Sequence, residues 1–147
     1  MRAENKMQID FLSKSSNEGF ARLAVAGFAA QLDPTLEEIG DIKTAVSEAV
    51  TNAIVHAYPD DLGKVLLKVR ICPGNVLEIT VRDHGRGIPD VEKARQPMFT
   101  TGGAERSGMG FTIMESFMDQ LSVRSAAGKG TTVVMKKRLA SRVKAAK

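Results

Sequence analysis

Two polar residues in the segment 47–53 have types and a spacing that would let them act together. Glu48 and Asn52 lie four residues apart, so a helix would project both from one face, about one turn from each other. Mg²⁺ prefers oxygen ligands and shares its octahedron with water and phosphates, so Asn52 could hold a magnesium nucleotide without adding charge. Glu48 would remain available to accept a proton. The alternative is a polar stripe on a solvated helix, with His56 as a packing residue further along it.

A carboxylate and two glycines follow the apolar strand pattern of residues 77–81. Val81 points inward in that pattern, and Asp83 is the next residue in the same phase. Burying a charge is costly unless a donor meets it, and the amino group of an adenine base would be such a donor. Gly85 and Gly87 carry no side chains, so a flat base could approach their backbone closely. The alternative is a turn in which these residues serve only the chain reversal.

A glycine-containing segment, residues 107–110, precedes an apolar helical pattern. Free amides and the positive end of the helix dipole make such a start a site for anions such as phosphates. The segment lacks the third glycine and the preceding strand of a dinucleotide-binding fingerprint, so it is a weak signal by itself. Residues 128–131 resemble the end of a phosphate loop, but no upstream glycine and no helix pattern accompany them, and we reject that interpretation.

These residues need elements to position them, and the first is a helix predicted to begin at a capping box. Ser15 stands three residues before Glu18, and the Asp-Pro pair at 33–34 ends the pattern. The buried stripe of this helix, at i, i+4 spacing, is predicted to be Phe20, Ala24, Phe28 and Leu32.

A second, longer helix carries Glu48 and Asn52. Its predicted capping box is Thr35 with Glu38, and it should run to about Tyr58. The side chains predicted to face the core are Ile39, Ile42, Val46, Ala49 and Ala53.

Alternating apolar and polar residues predict five strands. They cover residues 7–11, 65–71, 77–81, 121–125 and 131–135, with a further helix starting near Gly110. The second and third strands are predicted to form an antiparallel hairpin with helices on one face. Helices segregated from a run of hairpin strands predict the α+β class, as a two-layer α/β sandwich with a mixed, mainly antiparallel sheet and helices on one face.

The composition bounds the classes of protein that the chain can belong to. It has 147 residues, 43% hydrophobic and 26% charged, which is typical of one globular domain. Cys72 is the single cysteine, so no internal disulfide can form, and the start of the chain lacks an apolar signal segment. We therefore expect a cytoplasmic protein. No apolar run approaches the roughly 20 residues needed to cross a bilayer, which excludes a membrane span.

The net charge of +4 comes from one end of the chain. Six of the 21 basic residues lie in residues 136–147, where there is no acid, which leaves 15 basic and 17 acidic residues, a net −2, in residues 1–135. We therefore expect a domain over 1–135 and a flexible basic tail over 136–147. This distribution weakens a direct role in nucleic-acid binding.

The order of the motifs resembles the GHKL (Bergerat-fold) ATPase superfamily, which includes gyrase, histidine kinases and MutL. Within it, residues 48–54, 94–101 and 105–115 are similar to the anti-sigma F factor family of spore-forming bacteria, whose members are serine kinases. The resemblance implies a homodimer that binds sporulation sigma factor F. It also implies that MgATP is used to phosphorylate a serine on an anti-anti-sigma factor. One departure is residues 101–105, which are glycine-rich where the family usually has a Lys-Pro-type lid.

The resemblance also implies a role for each matching position. Glu48 would be the general base, Asn52 would hold Mg²⁺, and Asp83, supported by Thr131, would bind the adenine amino group. Residues 100–106 would form a lid in which Arg106 neutralises the γ-phosphate, and Arg22 would contact protein partners. The positions implied to contact the nucleotide are Asn52, Asp83, Gly85, Gly87, Thr100, Thr101, Arg106, Ser107, Gly108, Met109, Gly110 and Thr131.

Other functions remain open on the sequence. The chain could be a non-catalytic binding module for which ATP is only a conformational ligand. It could be a general-stress anti-sigma kinase of the same family. The catalytic domain of a histidine kinase is a weaker alternative, because the only histidines, His56 and His84, both lie inside the predicted nucleotide fold.

Overall fold

Five strands form one sheet in the order β1-β2-β3-β5-β4, and every neighbouring pair is antiparallel. The structure is a computed structural model and describes residues 2–96 and 110–140. The strands are β1 (Asn5–Leu12), β2 (Lys64–Cys72), β3 (Val76–Asp83), β4 (Gln120–Ala126) and β5 (Gly130–Arg138). The helices are α1 (Ser16–Ala29), α2 (Leu36–Asn52), α3 (Val91–Ala94) and α4 (Gly110–Phe117).

One face of the sheet is apolar and the other is polar, as the alternation of the sequence predicts. In β2, Val65, Leu67 and Val69 are fully buried and alternate with less buried residues. They pack with apolar residues of α1, α2 and α4 in a single core. The predicted two-layer α/β sandwich is therefore confirmed, with a sheet whose described pairings are all antiparallel.

The first helix has the predicted period but not the predicted phase. Its buried residues are Ala21, Val25 and Ala29, whereas Phe20 is 54% exposed. The prediction followed the large side chains, but α1 packs against α2 and turns its small residues inward. The prediction is thus wrong for Phe20, whereas Phe28 and Leu32 are partly buried and pack against the core.

The predicted capping box of α1 is also wrong. Ser15 stands at the N-cap in a helical conformation, and its side chain makes no capping hydrogen bond. Glu18 instead accepts a hydrogen bond from the hydroxyl of Ser47 on α2. A contact between helices has replaced a local one.

The second helix follows its prediction closely. Thr35 Oγ1 accepts from the Glu38 amide at 3.0 Å, and Glu38 Oε1 accepts from the Thr35 amide at 2.9 Å. The chain stays helical to the predicted end near Tyr58, but the last turn, Ala53–Ala57, is a π-helix. A π turn changes the spacing, so the stripe of Glu48 and Asn52 does not continue at i+4 to His56.

The sheet continues beyond the domain boundary predicted at residue 135. Lys136, Lys137 and Arg138 belong to β5, and the Lys137 ammonium lies 3.6 Å from the Asp41 carboxylate. Leu139 is buried in the core, and the Ala140 amide donates to Glu38 at 3.0 Å. The basic residues nearest the domain are therefore part of it. The rest of the predicted tail, residues 141–147, lies outside the described residues.

None of the helices in the described ranges has both the length and the apolar character that a membrane span requires.

Replacing Thr35 by Ala should lower the free energy of unfolding by about 1 kcal/mol, because the Glu38 amide loses its side-chain acceptor. Urea unfolding followed by circular dichroism measures the change. Thr35→Ser keeps the acceptor and should stay close to the parent, and equal losses in both variants would contradict the capping role.

Candidate nucleotide-binding site

Glu48 and Asn52 converge on the first residue of α4. A Cβ placed on Gly110 would lie 3.4 Å from Glu48 Oε1, 3.3 Å from Asn52 Nδ2 and 3.5 Å from Asn52 Oδ1. The predicted one-face arrangement therefore points at the N-terminal end of a second helix, where the dipole favours anions. A carboxylate, an amide oxygen and a position without a side chain fit a magnesium ion that takes its remaining ligands from phosphates and water.

Packing of the adjoining side of α2 fixes this face. Ala45, Val46 and Ala49 are buried against the core, and α4 buries Phe111 and Met114 in the same core. The two helices are thereby held together, with Glu48 and Asn52 of α2 beside Gly110 of α4.

A row of polar residues crosses the core-facing side of the sheet at its end. The strand register pairs Asp83 of β3 with Thr131 of β5, and Thr131 with Ser125 of β4. Asp83 is 6% exposed and Thr131 is 9% exposed. The prediction that Asp83 continues the inward phase of its strand is confirmed.

The Asp83 carboxylate is buried without a cationic partner of its own among its described ion pairs and hydrogen bonds. Burial raises its pKa, and backbone hydrogen bonds from Gly85 and Thr131, together with the nearby His84, only partly oppose the shift. The Gly85 amide donates to Asp83 Oδ1 at 3.0 Å. The ionised form of this carboxylate is therefore destabilised by burial, and a further hydrogen-bond donor would stabilise it.

Three glycines bring backbone segments together around Asp83. A Cβ on Gly85 would lie 2.2 Å from the carbonyl oxygen of Ala57, and one on Gly87 would lie 2.0 Å from that of Ala126. A Cβ on Gly130 would lie 2.2 Å from the carbonyl oxygen of Asp83. The protein's own packing thus excludes side chains here, while the approach of a base to Gly85 and Gly87 stays a prediction.

Tyr58, which no sequence motif marks as a site residue, joins the end of the π turn to the start of β2 and to the residue that follows β3. Its hydroxyl donates to the carbonyl of Lys64 at 2.8 Å and accepts from the amide of His84 at 2.7 Å. Its ring lies against Gly63, where a Cβ would come within 2.2 Å. The sequence around Tyr58 does not indicate this role, because the role depends on the amide of His84, which lies 26 residues further along the chain.

Ser125 is a second residue that the sequence analysis missed. Its Oγ accepts from the Ile88 amide at 2.7 Å and lies 2.8 Å from Thr131 Oγ1 and 2.9 Å from the carbonyl oxygen of Gly130. The signal was present, since Ser125 is a polar residue in the inward phase of its strand, like Asp83.

Arg22 lies against α2 rather than in open solvent. Its guanidinium is 3.5 Å from the Glu18 carboxylate and 3.4 Å from Ser47 Oγ, and its side chain is 41% exposed. Arg22 of α1 therefore contacts the α2 residue, Ser47, that directly precedes Glu48. The contact of Arg22 with a protein partner stays a prediction.

Six of the predicted nucleotide contacts lie outside the described residues. These are Thr100, Thr101, Arg106, Ser107, Gly108 and Met109. Over residues 2–96 and 110–140, no three His, Cys, Asp or Glu side chains gather into a metal-binding cluster.

Comparisons with known proteins agree on one family. Residues 13–137 match the family model for the histidine kinase-like ATPase domain. An anti-sigma F factor from Thermoanaerobacter pseudethanolicus is 58% identical over 142 residues, which cover 96% of this chain and 99% of that relative. This chain belongs to the anti-sigma F factor family. The anti-sigma F factor of Clostridium perfringens strain SM101 is 56% identical over 138 residues, covering 92% of this chain and 98% of the relative.

A solved structure supports the fold of this anti-sigma F family member. The RsbU and RsbW domains of a Mycobacterium tuberculosis protein match with a TM-score of 0.69 at 19% identity, over 92% of this chain and 32% of that one. The GHKL resemblance is therefore confirmed, and an ATPase domain of this type implies ATP binding.

Gly85→Ala should lower the free energy of unfolding by about 1–3 kcal/mol, because the new methyl group overlaps the Ala57 carbonyl. Thermal and urea unfolding measure the loss. Gly40→Ala is the matched control: it has nothing within 4 Å and lies inside α2, so it should stabilise the protein by up to about 1 kcal/mol. Similar effects at both positions would contradict the close approach at Gly85.

Asp83→Asn should raise the free energy of unfolding of the nucleotide-free protein at neutral pH. The folded-state pKa of Asp83 is raised, so the stability present below the unfolded pKa is lost as pH rises through the folded pKa. The amide variant escapes this loss, so its advantage should grow with pH and then level off. Unfolding between pH 3 and pH 8 measures it, with exposed Asp10→Asn as the control. A difference independent of pH would contradict the buried-charge interpretation.

Proposed function

We propose that this protein is an anti-sigma factor that binds and inhibits sporulation sigma factor F and, as a MgATP-dependent serine kinase, phosphorylates and inactivates an anti-anti-sigma factor. The convergence of Glu48 and Asn52 on Gly110 carries the kinase part of the proposal. The names of the relatives, which are 56–58% identical to this chain, support the sigma F part.

Glu48 acts as the general base in this mechanism. It takes the proton of the partner's serine hydroxyl as that oxygen forms a bond to the γ-phosphorus. The bond from the γ-phosphorus to the β,γ-bridging oxygen breaks, and the electron pair leaves with ADP. Glu48 lies at the polar side of a well-packed helix, so its carboxylate is held in place before the partner arrives.

Asn52 and the start of α4 handle the phosphates. Asn52 supplies one oxygen to Mg²⁺, which when bound neutralises charge on the triphosphate. Gly110 leaves room for phosphate oxygens beside both α2 side chains. Gly108, Ser107, Met109 and a lid containing Thr100, Thr101 and Arg106 are proposed to complete the phosphate contacts.

Asp83 selects the base. Its buried carboxylate accepts from the adenine amino group, which adds a donor to those that the Gly85 and Thr131 amides already provide. Thr131 stands beside it in the sheet. Because a donor stabilises the ionised form, nucleotide affinity is full above the pKa of Asp83 and falls as pH drops through it.

We also propose a homodimer built on the α1 and β1 side. β1 is an edge strand, and Leu12, Phe20 and Leu23 are 50%, 54% and 64% exposed. The open face of the sheet is a poor alternative for self-pairing, because it is lined by the cations Lys68, Arg70, Arg124 and Lys136, with Glu78 as the acid among its lining residues. Arg22, on α1, is proposed to contact protein partners, and a sigma factor partner places the protein in the cytoplasm.

Glu48→Gln should reduce phosphoryl transfer at least about 100-fold while ATP affinity changes little, because the amide cannot take the proton but keeps the shape. Transfer of label from γ-labelled ATP to the serine of the anti-anti-sigma factor measures the rate, and nucleotide titration measures affinity. Sigma F capture by the variant should persist.

Glu37→Gln is the control for this experiment, since Glu37 is an exposed carboxylate at the other end of α2. Normal label transfer by Glu48→Gln would show that the base is another group. No transfer by the parent protein, with sigma F bound normally, would identify a non-catalytic module in which ATP is only a ligand.

A further inference from the structure

We propose that Ser125 is a positioning residue that makes the site select adenine over guanine nucleotides, by fixing the direction of the Thr131 hydroxyl proton. The inference rests on the proposed nucleotide-binding function and adds to it a residue that does not itself touch the base.

The strand register puts Ser125 next to the base site. It pairs with Thr131 on β5, and Thr131 pairs with Asp83 on β3, so the three side chains share the core-facing side of neighbouring strands. Directly opposed residues on one face have Cβ atoms about 4.5–5.5 Å apart. A change at Ser125 therefore reaches Asp83 through a single intervening residue.

Hydrogen-bond accounting fixes the orientation of both hydroxyls. A serine hydroxyl has one proton to donate, and the carbonyl oxygen of Gly130, 2.9 Å from Ser125 Oγ, can only accept. Ser125 therefore donates to Gly130. The 2.8 Å contact between Ser125 Oγ and Thr131 Oγ1 then requires that Thr131 is the donor.

The remaining contact of Ser125 supports the same orientation. The amide of Ile88 donates to Ser125 Oγ at 2.7 Å. The hydroxyl of Ser125 therefore accepts two hydrogen bonds, from Ile88 and Thr131, and donates one, to Gly130. All of its hydrogen-bonding capacity is then used. Because the Thr131 hydroxyl donates its proton to Ser125, only its lone pairs face Asp83 and the base.

This end of the site consequently presents acceptors alone. An ionised Asp83 carboxylate and the Thr131 oxygen match the two N–H donors of the adenine amino group. Guanine carries a carbonyl oxygen at the same ring position, which would face two acceptors and find no donor. A buried polar group left unpaired in this way weakens binding strongly.

Removing the Ser125 hydroxyl should release the Thr131 proton. In Ser125→Ala, Thr131 can rotate its O–H toward the base and donate to a guanine carbonyl. The ratio of the Kd for GTP to the Kd for ATP should fall at least about tenfold, chiefly because GTP binds better. Ser125→Thr keeps the hydroxyl and should restore the parent ratio.

Calorimetric titration of each folded variant with MgATP and MgGTP tests the inference without relying on catalysis. Ser122→Ala, on the opposite face of the same strand, is the matched control. An unchanged ratio in Ser125→Ala, whether both affinities are kept or both fall together, overturns the role of Ser125. A parent protein that binds neither nucleotide contradicts the proposed function itself.

The binding of two nucleotide analogues to the parent protein tests the same inference without any variant. Purine riboside triphosphate lacks the amino group, and inosine triphosphate replaces it with a carbonyl. If only acceptors face this position, inosine triphosphate should bind more weakly than purine riboside triphosphate. Equal or tighter binding of inosine triphosphate would overturn the proposed proton direction.

Discussion

The buried carboxylate of Asp83 is the constraint on which the rest of this site depends. A charge 6% exposed at the end of a central strand needs donors, and the chain supplies them from the backbone at Gly85 and Thr131. Bringing those amides close requires three backbone segments to approach one another. The glycines at 85, 87 and 130 permit it, because any side chain there would overlap a neighbouring residue's backbone.

The same constraint couples distant parts of the chain. The π turn Ala53–Ala57 presents the Ala57 carbonyl to the Arg86 amide at 3.0 Å, and Tyr58 binds the amide of His84. The helix that carries Glu48 and Asn52 is thereby joined to the strand end that carries Asp83. The distance between the Glu48–Asn52 face and Asp83 is therefore set by the Ala57–Arg86 backbone hydrogen bond and by the Tyr58 hydroxyl on the His84 amide.

Local patterns predicted much of this architecture. Strand alternation predicted the five strands of the described sheet and the inward direction of the Asp83 side chain. A capping box predicted the start of α2. The failures have one cause: the deciding contact is far away in sequence. Glu18 bonds Ser47 instead of capping its own helix, and small residues rather than Phe20 face α2. The contact of Tyr58 with the His84 amide and the continuation of β5 through Arg138 likewise depend on partners that no local pattern reveals.

The strand order also determines when the row of Asp83, Thr131 and Ser125 can form during folding. β2 and β3 make a local antiparallel hairpin, but β3 is completed on its other side by β5, whose paired residues lie between 48 (Asp83 to Thr131) and 62 (Val76 to Arg138) positions later. Loop closure over that distance is slow relative to hairpin formation. The Asp83–Thr131–Ser125 row is therefore among the last parts of the sheet to assemble. Nascent chains on the ribosome that lack β5 expose an unpaired edge of β3 and leave Asp83 without the Thr131 amide.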